Sequence, residues 1–188
     1  MQLDFELILA ACWIVFIGYW IYSAPKSKRT LNRNFGTGML IRVGIFAVIV
    51  ALASINSKFH LQVQMQAHVG LWWGVVGCAC AVAGIGIAVW ARYYLGRNWG
   101  MPMSIKENAE LVTGGPYQWV RNPIYSGMLL AILGSVIVAG VWWLVVLIGA
   151  GIYFVFSVFQ EEKDMQKAFP NSYPAYKART WRLVPFIF

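Results

Sequence analysis

Apolar residues along this chain gather into long blocks, and polar residues are confined to the connections between them. The first block covers Phe5 to Tyr22 and stops at "SAPKSKRT", where Pro25 and three basic residues intervene. A second runs from about Met39 to Ile55, with Arg42 near enough to its end to snorkel, and a third from about Val69 to Tyr94. The last apolar run, Ile124 to Phe159, has thirty-six residues and would measure about 54 Å as one helix, against roughly 30 Å of hydrocarbon. It is expected to fold back as a helical hairpin near Gly140, within "VAGVWW". The pattern predicts an all-α integral membrane protein with about five transmembrane helices. Residues 1–90 would supply three of them. Residues 91–188 would supply a polar segment, the hairpin 124–159 and a helical tail reaching to about Phe169 and beyond.

Composition strengthens this reading. Of 188 residues 60% are hydrophobic and 12% charged, about half the charged share of an ordinary soluble domain. Mean hydropathy is +0.61. The ten Trp and nine Tyr sit largely near block ends, as interfacial belts require. The net charge of +8 forms no stripe suited to nucleic acid, so no nucleic-acid partner is expected. Segments 23–38, 91–123 and the tail after 160 hold thirteen of the fifteen Lys and Arg, which puts them in the cytoplasm and the N-terminus outside. Asp4 and Glu6 precede the first block, so it lacks the basic start of a cleaved signal and reads as a retained span. Cys12, Cys78 and Cys80 lie inside apolar blocks, which suits packing, and the Cys78/Cys80 pair has neither His nor acidic neighbours; no metal site is expected. His60 and His68, in "HLQVQMQAH", read as solvated or interfacial, and Gly70-x-x-x-Gly74 permits close helix approach.

The chemistry concentrates in two polar segments. In the first, "MSIKENAELV" reads as a short hairpin turning at "KENA", followed by a Gly114-Gly115-Pro116 turn. Asn122 and Pro123 then form an N-cap and first-position pair for the fourth span. Such a helix start presents free N–H groups and partial positive charge to an anion, with Arg121 just before it and Tyr117 and Tyr125 on either side. In the second segment, Glu161 and Glu162 stand where the fifth span leaves the membrane. The hairpin brings these acids to the same end as Asn122 and Pro123. A positive helix end beside paired acids suits a zwitterion, and S-adenosylmethionine is one, with an added sulfonium charge.

"LGRNWG", "ELVTGGPYQWVRNPIYSG", the pair "EE" and the tail "EEKDMQKAFPNSYPAYKARTWRLVPFI" resemble the membrane methyltransferase superfamily of isoprenylcysteine carboxyl methyltransferases and phospholipid N-methyltransferases. The resemblance covers roughly residues 92–188. It implies a cytosolic S-adenosylmethionine pocket, largely covered by the C-terminal segment, that takes lipophilic acceptors from the bilayer and leaves S-adenosylhomocysteine. By the same resemblance Glu110, Leu111, Val112 and Tyr117 line the pocket, Asn122, Pro123, Ile124 and Tyr125 continue it, and Glu161, with Glu162 beside it, contacts the cofactor; the reading of the helix start adds Arg121 to this set. Two departures bear on the acceptor. Asn122 stands where prenylcysteine enzymes carry His, and Ser157 stands where an Arg would hold a prenylcysteine carboxylate bidentately. Either Arg92 or Arg179 replaces that guanidinium, or the acceptor is not a prenylcysteine acid. A carboxylate acceptor is already ionised and needs no base, whereas a thiol or ammonium group must first lose a proton. The polar segments offer no dedicated base, which favours an isoprenylcysteine-type carboxylate over a phospholipid amine or a thiol. A non-enzymatic membrane subunit and an NADPH-dependent sterol-reductase-like protein are the more distant readings. The catalytic residue and oligomeric state are not assigned by sequence.

Overall fold

The structure, a computed structural model, describes residues 4–26, 30–33, 69–99, 104–106, 110–140 and 142–188. Helices dominate them: α1 (Phe5–Ser23), α2 (Leu71–Leu95), α3 (Pro123–Ala139), α4 (Trp142–Ala168) and a short α5 (Tyr173–Ala178). Among the described residues, three helical stretches are long and apolar enough to cross a membrane, Phe5–Lys26, Leu71–Asn98 and Trp142–Ala168. At seventeen residues α3 sits at the lower edge of the spanning range. The architecture is that of an all-α membrane protein. The expected second span, 39–55, and both histidines lie outside the described residues.

The thirty-six-residue run folds as the hairpin its length demands. α3 ends at Ala139, and Gly140 has φ +92° and ψ −172°, backbone open essentially only to glycine. α4 restarts at Trp142 and carries the polar tail residues on the same continuous helix.

Small residues set the central contact, between α2 and α3. A Cβ on Gly84 would lie 2.4 Å from the Gly127 carbonyl oxygen and 2.5 Å from the Ala131 nitrogen. The relation is reciprocal, because a Cβ on Gly127 would meet the Gly84 oxygen at 2.4 Å. Gly134 repeats the arrangement against Gly77, again at 2.4 Å. The helices are therefore antiparallel with their backbones in direct apposition, the way association is achieved where lipid offers no hydrophobic drive. Gly70, by contrast, faces open space, and Gly74 meets the Phe5 ring of α1, so the Gly70-x-x-x-Gly74 spacing is not what joins these helices.

α1 packs across this pair and runs parallel to α2. Leu9 joins Cys78, Ala81 and Val138 at one level, and Phe16 joins Ile85, Ala88 and Ala131 nearer the other end. The Trp13 indole donates to Ser135 Oγ at 3.1 Å and stacks on Trp143 at 5.6 Å, tying α1 to both arms of the hairpin. Outward residues such as Ile14, Ile21, Ile148 and Ile152 are exposed, as a lipid-facing surface should be.

These directions bring the end of α1, the end of α2, the start of α3 and the polar end of α4 together. Arg92 fastens the corner. It is 2% exposed, donates to the carbonyls of Ser23 and Gly96 at 2.7 Å each, and lies 4.6 Å over the Trp99 ring. The expected "KENA" hairpin is not what strand Ser104–Lys106 (β2) joins. It pairs antiparallel with Thr30–Arg33 (β1), Thr30 opposite Lys106 and Arg33 opposite Ser104. The expected turn itself, at positions 107–109, lies outside the described residues.

Candidate functional site

At this polar end the loop before α3 is shaped first. Gly115 has φ +59°, and a Cβ there would fall 2.6 Å from the Tyr94 ring, so the "GGP" turn lies flat against the end of α2. The turn buries Pro116 and Tyr117. Burial, together with nearby Tyr176 and Glu161, pushes the Tyr117 phenol well above its ordinary range, so it stays a protonated donor. Upstream, Glu110 is exposed and its N–H donates to Asn98 Oδ1 at 3.3 Å; Leu111 and Val112 are half-buried.

Asn122 takes the N-cap position of α3 and Pro123 the first turn, but the asparagine side chain does not cap the helix. Its Nδ2 instead donates to the Arg182 carbonyl at 3.1 Å, which the Asn122 backbone N–H also does at 3.1 Å. The expectation of a side-chain cap is thus corrected: Asn122 holds the N-cap position, but its amide is oriented by the tail carbonyl that Nδ2 bonds. Ile124 and Tyr125 follow in the first turn. Tyr125 stacks on Phe154 of α4 at 4.5 Å and 12°, and its hydroxyl donates to Glu161 Oε1 at 2.6 Å. This short charge-assisted bond bridges the two arms of the hairpin.

Glu162, one residue on, does something different. Its carboxylate accepts from Arg121 Nη2 at 2.8 Å and from Arg182 Nε at 2.9 Å, and Lys177 Nζ lies 3.1 Å away. Arg121 also reaches the carbonyls of Lys177 and Thr180 and the Thr180 hydroxyl. The Glu162 and Arg121 side chains are 7% and 8% exposed. Both were expected at the cofactor, and both are engaged in an internal clasp that holds the tail.

Further bonds fasten the same tail. Arg121 N–H donates to the Trp181 carbonyl at 2.7 Å, and Trp181 N–H donates to Trp119 at 3.0 Å, a parallel bridge. The Tyr176 hydroxyl donates to the Tyr117 carbonyl at 2.7 Å, and Ser126 Oγ to the Leu183 carbonyl. Sequence reading missed Tyr176, Lys177, Thr180, Arg182 and Ser126 as members of this end. The polar run "YKARTWR" was the available signal, but nothing local names its partners, which stand 15 to 60 positions away.

The arginines expected near an acceptor lie elsewhere. Arg92 is committed to backbone carbonyls in the corner described above, and Arg179 is exposed at the C-cap of α5. Ser157 is fully buried and donates to the Tyr153 carbonyl of its own helix at 2.8 Å. Tyr117, Tyr125 and Glu161 do come together, beside the N-terminus of α3.

A 63-residue stretch is 35% identical to the uncharacterized protein YpbQ of Bacillus subtilis (strain 168), covering 33% of this chain and 36% of that relative. The chain is therefore matched to only about a third of that protein's length. Residues 72–172 match the phospholipid methyltransferase family, from Trp72 in α2 through Glu161 and Glu162 and as far as the start of α5. That is more than half of the chain and takes in the whole hairpin, so this helical membrane protein belongs to the phospholipid methyltransferase family, a family of membrane methyltransferases.

Proposed function

We propose that the polar end of the bundle binds S-adenosylmethionine and transfers its methyl group to a lipophilic acceptor from the bilayer, on the cytoplasmic face, with the N-terminus outside. The observation that carries this reading is the convergence of Tyr117, Tyr125 and Glu161 beside the N-terminus of α3 and beneath the tail. The residues suit the cofactor. The Glu161 carboxylate, oriented by Tyr125, is a partner for a cationic group. The start of α3, without a side-chain cap, offers N–H groups to a carboxylate. Glu110, Leu111 and Val112 would line the approach, and Arg121 with Glu162 would hold the cover in place rather than touch the ligand. Bound there, the cofactor supplies an electrophilic methyl on sulfur. The protein's own contribution is alignment and exclusion of water, on which in-line methyl transfer depends.

For the acceptor, the placement of the arginines favours a lipid amine. A prenylcysteine carboxylate calls for a guanidinium, but Ser157 is bonded within its helix, Arg92 is held by backbone carbonyls and Arg179 faces outward. An ammonium acceptor must lose its proton before its nitrogen can attack the methyl group. The carboxylate remains the second reading, since it needs no base, with a thiol as the third.

Calorimetry on the detergent-purified protein should detect S-adenosylhomocysteine binding that Glu161→Ala abolishes and Tyr117→Phe weakens. A wild-type protein that binds none would sink the proposal. Labelled S-adenosylmethionine offered with an ethanolamine phospholipid, a farnesylated cysteine acid and a small thiol then separates the acceptors. Label on the cysteine acid alone would reverse the preference stated here.

A further inference from the structure

The tail does not end its course on the polar clasp. Beyond Arg182 the chain turns apolar, "LVPFIF", and folds back on itself, with Leu183 and Val184 N–H groups donating to the Phe188 carbonyl at 2.8 and 3.0 Å. Leu183 is buried, but Phe186 and Ile187 are 83% and 81% exposed. Phe186 also has φ +66°, a conformation that a bulky residue rarely adopts, and its exposed ring lies 4.6 Å from that of Trp181. A loop free in water has no reason to hold two large apolar side chains this way.

Its level in the bundle is fixed by contacts on both sides. The Leu183 carbonyl accepts from Ser126, one turn into α3. Phe188 lies 6.4 Å from the ring of Phe159, the last residue of the apolar run in α4. Above Phe159 and Phe188 sits the Arg182 guanidinium, 4.8 and 5.2 Å from their rings, with its N–H edge paired to Glu162. The loop is therefore level with the first and last turns of the hairpin's apolar segment. Through Phe188 it adjoins the exposed apolar face of Ile152, Val155, Phe156 and Phe159 on α4. Arg182 marks the boundary, with charge on one side and aromatic rings on the other.

We propose that Val184–Phe188 is a membrane-inserted loop, in which Phe186 and Ile187 enter the bilayer interface and anchor the cover of the site to the lipid surface. The cover is then held at two places, by Glu162 in the protein and by lipid at its far end. Insertion of aromatic and aliphatic residues to the depth of the headgroup and acyl boundary is the ordinary mode of interfacial attachment.

Spin labels test it in the full chain, with Cys12, Cys78 and Cys80 replaced by Ala and the protein held in phosphatidylcholine nanodiscs. Labels on Phe186→Cys and Ile187→Cys should relax faster with dissolved oxygen than with a water-soluble nickel chelate. A label on Lys177→Cys, on the clasp side, should show the reverse preference. Nickel-dominated relaxation at 186 and 187 would place the loop in water, and shielding from both reagents would mean that protein covers it. Either result overturns the proposal. A photoreactive benzoylphenylalanine at Phe186, in the chain with its cysteines intact, provides a second readout. Crosslinking that adds one phospholipid mass supports insertion, and crosslinking to a second protein chain refutes it.

Discussion

Replacing Glu162 by Gln removes the one anion at which Arg121, Lys177 and Arg182 converge. With both the carboxylate and Arg121 less than a tenth exposed, breaking the pair strands a buried guanidinium, which typically costs about 3–5 kcal/mol. Arg121 keeps its bonds to the Lys177 and Thr180 carbonyls, so the lower figure, about 3 kcal/mol, is expected. Lys177 belongs to the same cluster, but its side chain is 43% exposed, and Lys177→Met should cost less than about 1 kcal/mol. The clasp joins the tail to the loop before α3, so the loss should appear there rather than in the helices. The backbone amides of Arg121 and Trp181, bonded across that junction, are the reporters. Hydrogen exchange of peptides spanning 119–122 and 173–183 should accelerate roughly hundredfold in Glu162→Gln, the opening that about 3 kcal/mol implies. Lys177→Met should change it by less than about fivefold. Amides in the middle of α2 should not respond. Equal acceleration in the two variants, or none in Glu162→Gln, would refute the assignment of Glu162 as the hub.

The close approach of α2 and α3 gives a steric prediction. Gly84→Leu must push its side chain into the Gly127 carbonyl and Ala131 backbone, and should lower the thermal stability of the detergent-solubilised protein by an amount equivalent to about 3 kcal/mol or more, whereas Gly86→Leu, which meets nothing within 4 Å, should be near neutral. Stability should also fall in alkali. Burial raises the phenol of Tyr173 from its ordinary 10.0 to about 12 and pushes Tyr117 and Tyr176 further still. The folded state thus holds these protons more tightly than the unfolded one, so their contribution is complete below pH 10 and is lost as pH rises through about 12. Phenolate absorbance titrated against hydrogen exchange of the tail should show both changing together across that window, and a tail that opens before any phenol ionises would contradict the sign.

The hydrophobic blocks made the hairpin legible because a bilayer imposes one length on every span, and thirty-six apolar residues can satisfy it only by turning at a residue such as Gly140. The Gly77/Gly84 and Gly127/Gly134 apposition was less legible, because small residues recur throughout membrane helices and the pairing depends on rotation about each axis. The pairing of β2 with β1 was not legible for a related reason, since local sequence names no partner more than seventy positions away. At the polar end, the nearness of Tyr125 and the two acids was legible, but the partner that each acid takes was not. Glu161 and Glu162 read as a pair, yet consecutive positions on a helix point about 100° apart and cannot serve one ligand as equals. Rotation of α4 decides the matter: stacking of Phe154 on Tyr125 turns Glu161 toward α3, and that same rotation leaves Glu162 facing Arg121 and the tail. One acid is thereby directed to the hairpin's interior and the other to its cover. Any change that rotates α4, such as loss of the Phe154 ring, should disturb both acids together even though it touches neither.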